Sequence, residues 1–300
     1  MHPTTLRDKL SGVIAFPITP FKDDLSLDLP GLHHNITKLI EHPICALVVA
    51  GGTGEMYSLT PAEYTRVVEL TALAVEDRVP VIAGVGFNLR LGIEMAQAAE
   101  KAGADGILIF PPYYPHADDE GLFEYYRSIA AAVKLGVLIY SRDWAVFSPL
   151  MVERLTAIPN LIAWKDGHGD LRQLQAIMNH VGDRLHWIGG AGDDLVAAYY
   201  SAGIRTFTSS IATVAPRLSL KLHELAENGE HEVLTEMLDR CVIPLYAIRA
   251  RRRGYEVSTM KAMMDMVGLN GGPVRPPLVG VGPEEERELS GIISEWEKFL

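Results

Sequence analysis

A lysine that follows a short apolar run is the first residue in this sequence with the potential for covalent chemistry. The run Leu161–Trp164 leads directly into Lys165. If the run is a buried strand, burial disfavours the ammonium form and lowers the pKa of the amine. A neutral amine attacks a ketone carbon to form a Schiff base. Taken alone, Lys165 is better explained as a side chain that reaches solvent or pairs with Asp166, so the prediction depends on other residues.

Two further residues with catalytic chemistry follow another apolar run. Tyr140 ends the run Val137–Tyr140, and Arg142 lies two residues later. A tyrosine hydroxyl can relay a proton, and a guanidinium can hold a carboxylate with two hydrogen bonds. The alternative is a tyrosine that serves only for packing, beside a surface ion pair of Arg142 and Asp143. Without evidence from other strand ends, Tyr140 and Arg142 favour this alternative.

Glycine and hydroxyl residues at other strand ends offer donors for an anion. In the turn Gly51–Gly54, backbone amides at Gly52 can approach a carboxylate, and Thr53 adds a hydroxyl. The turn is not a phosphate loop, because no Gly-Lys-Ser/Thr follows it, and an ordinary tight turn is the alternative. Ser209 and Ser210 are weaker candidates for contacts to a carboxylate or a hydroxyl.

Charge and composition argue against several other classes of function. The formal net charge is -11, which makes nucleic-acid or anionic-membrane binding improbable. Cys45 and Cys241 are the only cysteines, which favours a reducing, cytoplasmic location. The chain has no recognisable signal peptide or membrane span. No metal-ligand spacing is present, and the basic cluster Arg249–Arg253 is interpreted as a solvated or subunit-pairing face.

The elements that must position these residues are short apolar runs separated by helical patterns. Eight runs too short for buried helices predict strands buried on both faces: 13–18, 46–50, 79–83, 106–110, 137–140, 161–164, 186–188 and 204–207. Eight strand–helix units predict an α/β protein with a (β/α)8 TIM barrel, and an open doubly wound sheet is the alternative.

From about Leu218 the pattern becomes helical only, which indicates a C-terminal helical extension packed on the barrel. We therefore predict a barrel over residues 1–225 that carries the active site, followed by a helical region over 226–300. In such a barrel the active-site residues lie at the carboxyl ends of the strands, where the residues above are placed.

The strand ends together resemble the dihydrodipicolinate synthase and N-acetylneuraminate lyase superfamily over nearly the whole chain. The motifs that carry the resemblance are Gly51–Glu55, Pro111–Tyr114, Tyr140, Lys165, Gly190–Asp194 and Gly272–Pro277. The resemblance implies a lysine-dependent Schiff-base lyase, without metal or organic cofactor, that assembles as a homotetramer, a dimer of dimers. By resemblance alone, Tyr114 is expected to lend its hydroxyl to the proton relay of a neighbouring subunit.

Departures from the synthase pattern point to one branch of the superfamily. The sequence has Ser141-Arg142-Asp143 where the synthases usually have Asn-Val-Pro, and Asp166 where they usually have Glu. Together with Arg252-Arg253-Gly254-Tyr255, these residues resemble the sequence pattern of the 5-dehydro-4-deoxyglucarate dehydratase family. Gly52 replaces the first threonine of the synthase turn, which puts that family's two-threonine relay in doubt.

The second resemblance implies a dehydration and a decarboxylation of a six-carbon keto diacid to 2,5-dioxopentanoate. Lys165 would form the Schiff base and Tyr140 would relay protons. Gly52 and Thr53 would hold the carboxylate beside the ketone, and Arg142 the distal end. The alternatives are an aldolase for 2-oxo-sugar acids, a dihydrodipicolinate synthase, or a non-catalytic barrel that binds a keto acid.

Overall fold

Eight parallel strands form a closed barrel in sequence order, so the open-sheet alternative is wrong. The computed structural model describes residues 1–113 and 116–300. The strands are β1 (Gly12–Ala15), β2 (Ala46–Val49), β3 (Val81–Phe87), β4 (Gly106–Pro112), β5 (Gly136–Ser141), β6 (Leu161–Asp166), β7 (His186–Gly189) and β8 (Thr206–Ser209). Gly12 of β1 pairs with Thr206 of β8, which closes the barrel.

Each predicted apolar run overlaps one of these strands, and the largest difference is in β3. This strand extends to Phe87, although the prediction ended at Ala83. Gly84 and Gly86 weaken the apolar pattern in the extension. Gly84 is required there, because a Cβ atom would lie 2.1 Å from the carbonyl oxygen of Ala50. The glycine thus allows β3 to pass close to the turn that follows β2.

Helices lie before, between and after the strands. They are α1 (Pro3–Lys9), α2 (Leu29–Leu39), α3 (Pro61–Val75), α4 (Leu89–Lys101), α5 (Asp119–Ala130), α6 (Pro149–Leu155), α7 (Leu171–Val181), α8 (Val196–Ser201), α9 (Pro216–Glu227), α10 (His231–Met237), α11 (Ile243–Arg249), α12 (Tyr255–Met266) and α13 (Pro283–Trp296). Helix α3 begins after Thr60, which forms a capping box with Glu63.

The barrel has an inner and an outer core. Alternate strand residues such as Ile14, Ile82 and Leu138 point inward and pack with Leu6 and Leu10 from the N-terminal segment. That segment, which contains α1, therefore closes the amino-terminal end of the barrel. The other strand residues pack outward against the surrounding helices. The carboxyl end of the barrel, in contrast, opens into a cavity.

The C-terminal helical extension contains α10 to α13, and a π-helical turn joins α10 to α11. Helix α9 continues to Glu227, and the division of the chain at residue 225 stays a prediction. Within residues 1–113 and 116–300, no helix has both the length and the apolar character needed to cross a bilayer.

Candidate active site

A cavity of about 870 Å³ opens at the carboxyl ends of the strands. Six of the predicted site residues line it, namely Gly52, Thr53, Tyr140, Arg142, Lys165 and Ser210. Tyr114, the expected cross-subunit residue, lies outside the described residues. The sequence positions that suggested Schiff-base chemistry and anion binding therefore share one concave surface.

Lys165 is a buried residue of β6 whose side chain points into the barrel. Only 3% of its surface is exposed. Its Nζ atom donates to the carbonyl oxygen of Gly190 at 2.9 Å and lies 3.2 Å from the ring centroid of Tyr140. Burial holds the pKa of the Lys165 amine well below its usual value, and the charge of Arg142 lowers it further. The site thus favours the neutral, nucleophilic amine.

Asp166 does not pair with Lys165, because adjacent strand residues point to opposite faces. Its carboxylate accepts hydrogen bonds from the Tyr199 hydroxyl at 2.7 Å and from the amides of His168 and Gly169. Among the residues that the structure describes, no carboxylate oxygen lies within 4.0 Å of Lys165 Nζ. The interpretation of Lys165 as a solvent-exposed or Asp166-paired side chain is therefore wrong.

Tyr140 is placed beside Lys165 by the register of two neighbouring strands. The two residues are direct partners in the pairing of β5 with β6. Tyr140 is buried and packs edge-on against Phe110, with its hydroxyl 3.4 Å from the Gly190 carbonyl oxygen. Burial raises the pKa of this hydroxyl, with a smaller opposing effect from Arg142. The hydroxyl therefore keeps its proton and is able to donate it.

Gly190 permits the close approach of Lys165 to the backbone after β7. A Cβ atom on Gly190 would lie 2.5 Å from Lys165 Nζ and 2.5 Å from the carbonyl oxygen of Asp166. Any side chain here would displace the lysine. The Gly190 carbonyl, which both Lys165 and Tyr140 contact, therefore fixes the position of the amine.

Arg142 extends from the end of β5 toward the turn that follows β2. A Cβ atom on Gly52 would lie 3.6 Å from Arg142 Nη1. The guanidinium also pairs with Asp143, at 2.9 Å between Nε and Oδ2. From the sequence, Gly52 and Arg142 were expected to hold opposite ends of the substrate. In the structure the Arg142 guanidinium lies beside Gly52, and Thr53 lines the same cavity.

The two candidate serines have different positions because they are consecutive residues at the end of β8. Ser209 is buried behind the cavity wall, where its hydroxyl contacts Ser219 Oγ at 2.8 Å and accepts from the Ala212 amide. Ser210 lines the cavity and accepts a hydrogen bond from Arg249 Nη2 at 3.0 Å. Ser210 is thus the serine that can reach a ligand without rearrangement.

Arg249 was expected to belong to a basic cluster on a solvated or subunit-pairing face, and the structure places it in the wall of the cavity. It ends α11, is only partly exposed and lines the cavity. Arg251 does lie outside and pairs with Glu288 on α13. Tyr246, one helical turn before Arg249, also lines the cavity. Tyr246 and Arg249 lie three residues apart, a spacing that places both side chains on one face of α11.

Across residues 1–113 and 116–300, no group of three or more histidine, cysteine, aspartate or glutamate side chains is arranged to hold a metal ion. The charged side chains that line the cavity are the Lys165 amine, the guanidinium groups of Arg142 and Arg249, and the carboxylates of Asp143, Asp193 and Glu256. The amine and the two guanidinium groups suit a small anionic carbonyl compound.

The geometry agrees with a family comparison. The model of the dihydrodipicolinate synthetase family matches residues 9–296, which is almost the whole chain. The chain belongs to the dihydrodipicolinate synthetase family. Both the (β/α)8 barrel and the lysine on its sixth strand, first predicted from apolar runs and strand ends, lie within the matched region.

Curated relatives in this family carry a more specific name. The chain is 38% identical to a protein of Bradyrhizobium diazoefficiens named probable 5-dehydro-4-deoxyglucarate dehydratase, with 94% of the chain and 91% of the relative covered. It is 39% identical to a protein of the same name from Saccharopolyspora erythraea, with 94% and 93% covered. The similarity therefore extends over more than nine-tenths of both relatives: 91% of the first and 93% of the second.

Solved structures of the dihydrodipicolinate synthetase family have the same fold. The dihydrodipicolinate synthase of Oceanobacillus iheyensis superposes with a TM-score of 0.93 at 29% identity, covering 99% of both chains. The enzyme of Bacillus clausii gives a TM-score of 0.92 at 26% identity, covering 97% of this chain and 99% of its own. The helical extension after the barrel is thus part of the shared architecture.

Proposed function

We propose that this protein is a decarboxylating dehydratase. It converts 5-dehydro-4-deoxy-D-glucarate to 2,5-dioxopentanoate, carbon dioxide and water through a Schiff base on Lys165. The observation that carries the proposal is the buried Lys165 amine, whose pKa is lowered at the base of a cavity that contains two guanidinium groups. The names of the curated relatives select this reaction among those that a Schiff-base lysine can perform.

The first step joins the lysine to the substrate. The neutral amine of Lys165 attacks the C5 ketone, and the resulting carbinolamine loses its oxygen as water to leave a protonated imine. Tyr140 lies beside the same reacting atoms, since its hydroxyl and Lys165 Nζ both contact the Gly190 carbonyl oxygen, at 3.4 Å and 2.9 Å. Its hydroxyl delivers the proton that the departing oxygen needs and takes a proton back in the reverse direction.

The imine then accepts the electrons of both eliminations. Removal of a C4 proton gives an enamine, and the C3 hydroxyl leaves as water when it is protonated. The resulting conjugated imine accepts the electron pair of the C1–C2 bond, so C1 leaves as carbon dioxide. Protonation of the remaining dienamine and hydrolysis of the imine release 2,5-dioxopentanoate and restore Lys165. The imine nitrogen holds the electron pair in each step, so the electrons balance without an external acceptor.

Binding roles follow the positions of the polar groups. Gly52, Thr53 and Arg142 bind the carboxylate beside the ketone, since all three line the cavity and the Arg142 guanidinium lies next to Gly52. Ser210 contacts a hydroxyl of the substrate, and Ser209 supports the wall behind it. Tyr114 remains a proposal by resemblance. The cytoplasmic location and the homotetramer, a dimer of dimers, are proposals that rest on the family and on two free cysteines.

Product analysis tests the proposed reaction directly. Incubation with 5-dehydro-4-deoxy-D-glucarate should yield carbon dioxide and 2,5-dioxopentanoate in equal amounts. An aldolase would release pyruvate instead, and a dihydrodipicolinate synthase would require pyruvate and an aldehyde as co-substrates. A non-catalytic barrel would leave the substrate intact. Pyruvate as the main product, or unchanged substrate, would rule the proposal out.

Removing the Tyr140 hydroxyl should slow the reaction without abolishing it. Tyr140→Phe is expected to lower kcat by about 10²-fold, because a positioned proton donor contributes roughly that much or more. Steady-state kinetics measure the change. Tyr126→Phe is the matched control, since Tyr126 is also a buried tyrosine but does not line the cavity. A Tyr140→Phe enzyme with more than half of the wild-type kcat would show that another group relays the proton.

A further inference from the structure

Arg249 is a cation in the cavity wall that the proposed reaction has not yet used. Its Nη2 atom donates to Ser210 Oγ at 3.0 Å, and its Nε atom lies 3.4 Å from Thr259 Oγ1. Within the described residues, no carboxylate oxygen lies within 4.0 Å of its guanidinium nitrogens. Arg142, in contrast, already pairs with Asp143. Arg249 therefore presents to the cavity a guanidinium that forms no salt bridge within 4.0 Å with any described residue, although its charge acts on the carboxylates of Asp193 and Asp194, where it opposes the rise in pKa that burial causes.

The orientation of Arg249 is fixed by a tyrosine on the same helix. The guanidinium carbon lies 4.9 Å from the ring centroid of Tyr246. The Tyr246 hydroxyl accepts from the Asp193 amide at 2.7 Å and donates to Asp193 Oδ2 at 3.3 Å. These contacts attach α11 to the loop after β7. The guanidinium is thus held before a ligand arrives, which reduces the entropy lost on binding.

The two arginines lie on different parts of the cavity wall. Arg142 lies beside Gly52, after β2, and its charge lowers the pKa of Lys165. The contacts of Arg249 are to Ser210, after β8, and through Tyr246 to the loop after β7. A 2-oxo acid that forms an imine with Lys165 carries its first carboxylate one bond from the reacting carbon. Arg142 and the Gly52 turn suit this carboxylate, since they lie close to the amine.

We infer that Arg249 binds the carboxylate remote from the ketone and so selects dicarboxylic 2-oxo acids. The inference rests on the proposed Schiff-base function and assigns the second carboxylate of its substrate. A bidentate guanidinium–carboxylate contact is the strongest pairing that the described cavity residues offer at this position. Specificity for the diacid then comes from the C-terminal helical extension, while the barrel strands supply the reacting groups.

Two stable ligands separate the near carboxylate from the remote one. Pyruvate has a ketone and the adjacent carboxylate, whereas 2-oxoadipate has the same groups and a second carboxylate at the far end of a six-carbon chain. Both form an imine that borohydride reduces on Lys165, and mass spectrometry measures the trapped fraction. The half-saturating concentration of each ligand is compared in wild type, Arg249→Gln and Arg249→Lys. Arg253→Gln, an exposed residue of the same cluster, is the control.

Arg249→Gln is expected to raise the half-saturating concentration of 2-oxoadipate by about 10- to 100-fold, the range for a lost charged hydrogen bond. The value for pyruvate should change by less than about 3-fold, which also shows that the variant is folded. For Arg249→Lys, the half-saturating concentration of 2-oxoadipate should lie between the values for wild type and Arg249→Gln, because lysine keeps the charge but not the planar fork. Equal changes for both ligands, or none, would overturn the inference. Absence of any trapping on wild-type Lys165 would instead overturn the proposed function on which it rests.

Discussion

Lys165→Ala is expected to lower kcat/KM by at least about 10⁴-fold, because loss of a covalent nucleophile removes the reaction path that depends on it. No other lysine lines the cavity within the described residues, so no second amine can take over. Carbon dioxide release from 5-dehydro-4-deoxy-D-glucarate measures the rate. Borohydride trapping should at the same time leave the variant unmodified by pyruvate. The loss should exceed that of Tyr140→Phe by at least about 100-fold, since Tyr140 assists and Lys165 forms the bond.

Lys165→Met is the matched control for loss of packing. Methionine has nearly the same length and fills the same space between Phe16 and the Tyr140 ring. Because burial disfavours the lysine charge, the variant should fold with a Tm equal to or above that of the wild type. It should nevertheless be as inactive as Lys165→Ala. Activity above about 1% of wild type in a folded Lys165→Met would show that the amine is not the nucleophile.

Much of the barrel could be predicted from the sequence because its strands are buried on both faces. A strand of this kind is a short apolar run, and its carboxyl end must lie at the mouth of the barrel. Lys165 and Tyr140 end two such runs, so their meeting follows from the fold. Gly52 and Thr53 follow a third run. The positions of these residues could therefore be predicted from the order of the strands alone, without any knowledge of side-chain packing.

The positions of the other site residues could not be predicted in this way, because they depend on strand register and on long-range packing. Ser209 and Ser210 are consecutive, and a shift of one residue decides which of them faces the cavity. The position of Arg249 depends on how α11 lies across the mouth of the barrel, which no local pattern specifies. The placement of Arg142 beside Gly52 depends on the direction of a long side chain. Each of these features is set by tertiary contacts, whereas the apolar runs reflect local burial.

The second large effect is the loss of stability expected when a buried ion pair between the helical extension and the turn after β2 is broken. Nζ of Lys261 on α12 lies 2.5 Å from Oε1 of Glu55, and 2% and 0% of the two side chains are exposed. Lys261→Met should destabilise the protein by about 3–5 kcal/mol, because it leaves a buried carboxylate without its cation. Urea unfolding measures the change. Lys221→Met, which removes a partly exposed pair with Glu224, should have little effect.

A second substitution distinguishes loss of the pair from loss of packing. Glu55 also accepts a hydrogen bond from the Arg275 amide at 3.1 Å, which a glutamine at position 55 can still accept. The double variant Lys261→Met with Glu55→Gln should therefore recover more than half of the stability lost by Lys261→Met. If the double variant is as unstable as the sum of the two single variants, the two side chains are not coupled.

The Lys261–Glu55 ion pair also supports a turn that carries two residues of the active site. Ala50 and Glu55 both have left-handed backbone conformations, with φ of 46° and 53°, at the two ends of the turn that carries Gly52 and Thr53. Such conformations are strained for residues with side chains and persist only where the surroundings enforce them. Lys261 and the Arg275 amide hold Glu55 in place from the helical extension. Lys261→Met should therefore weaken pyruvate trapping as well as stability, and the double variant should restore both.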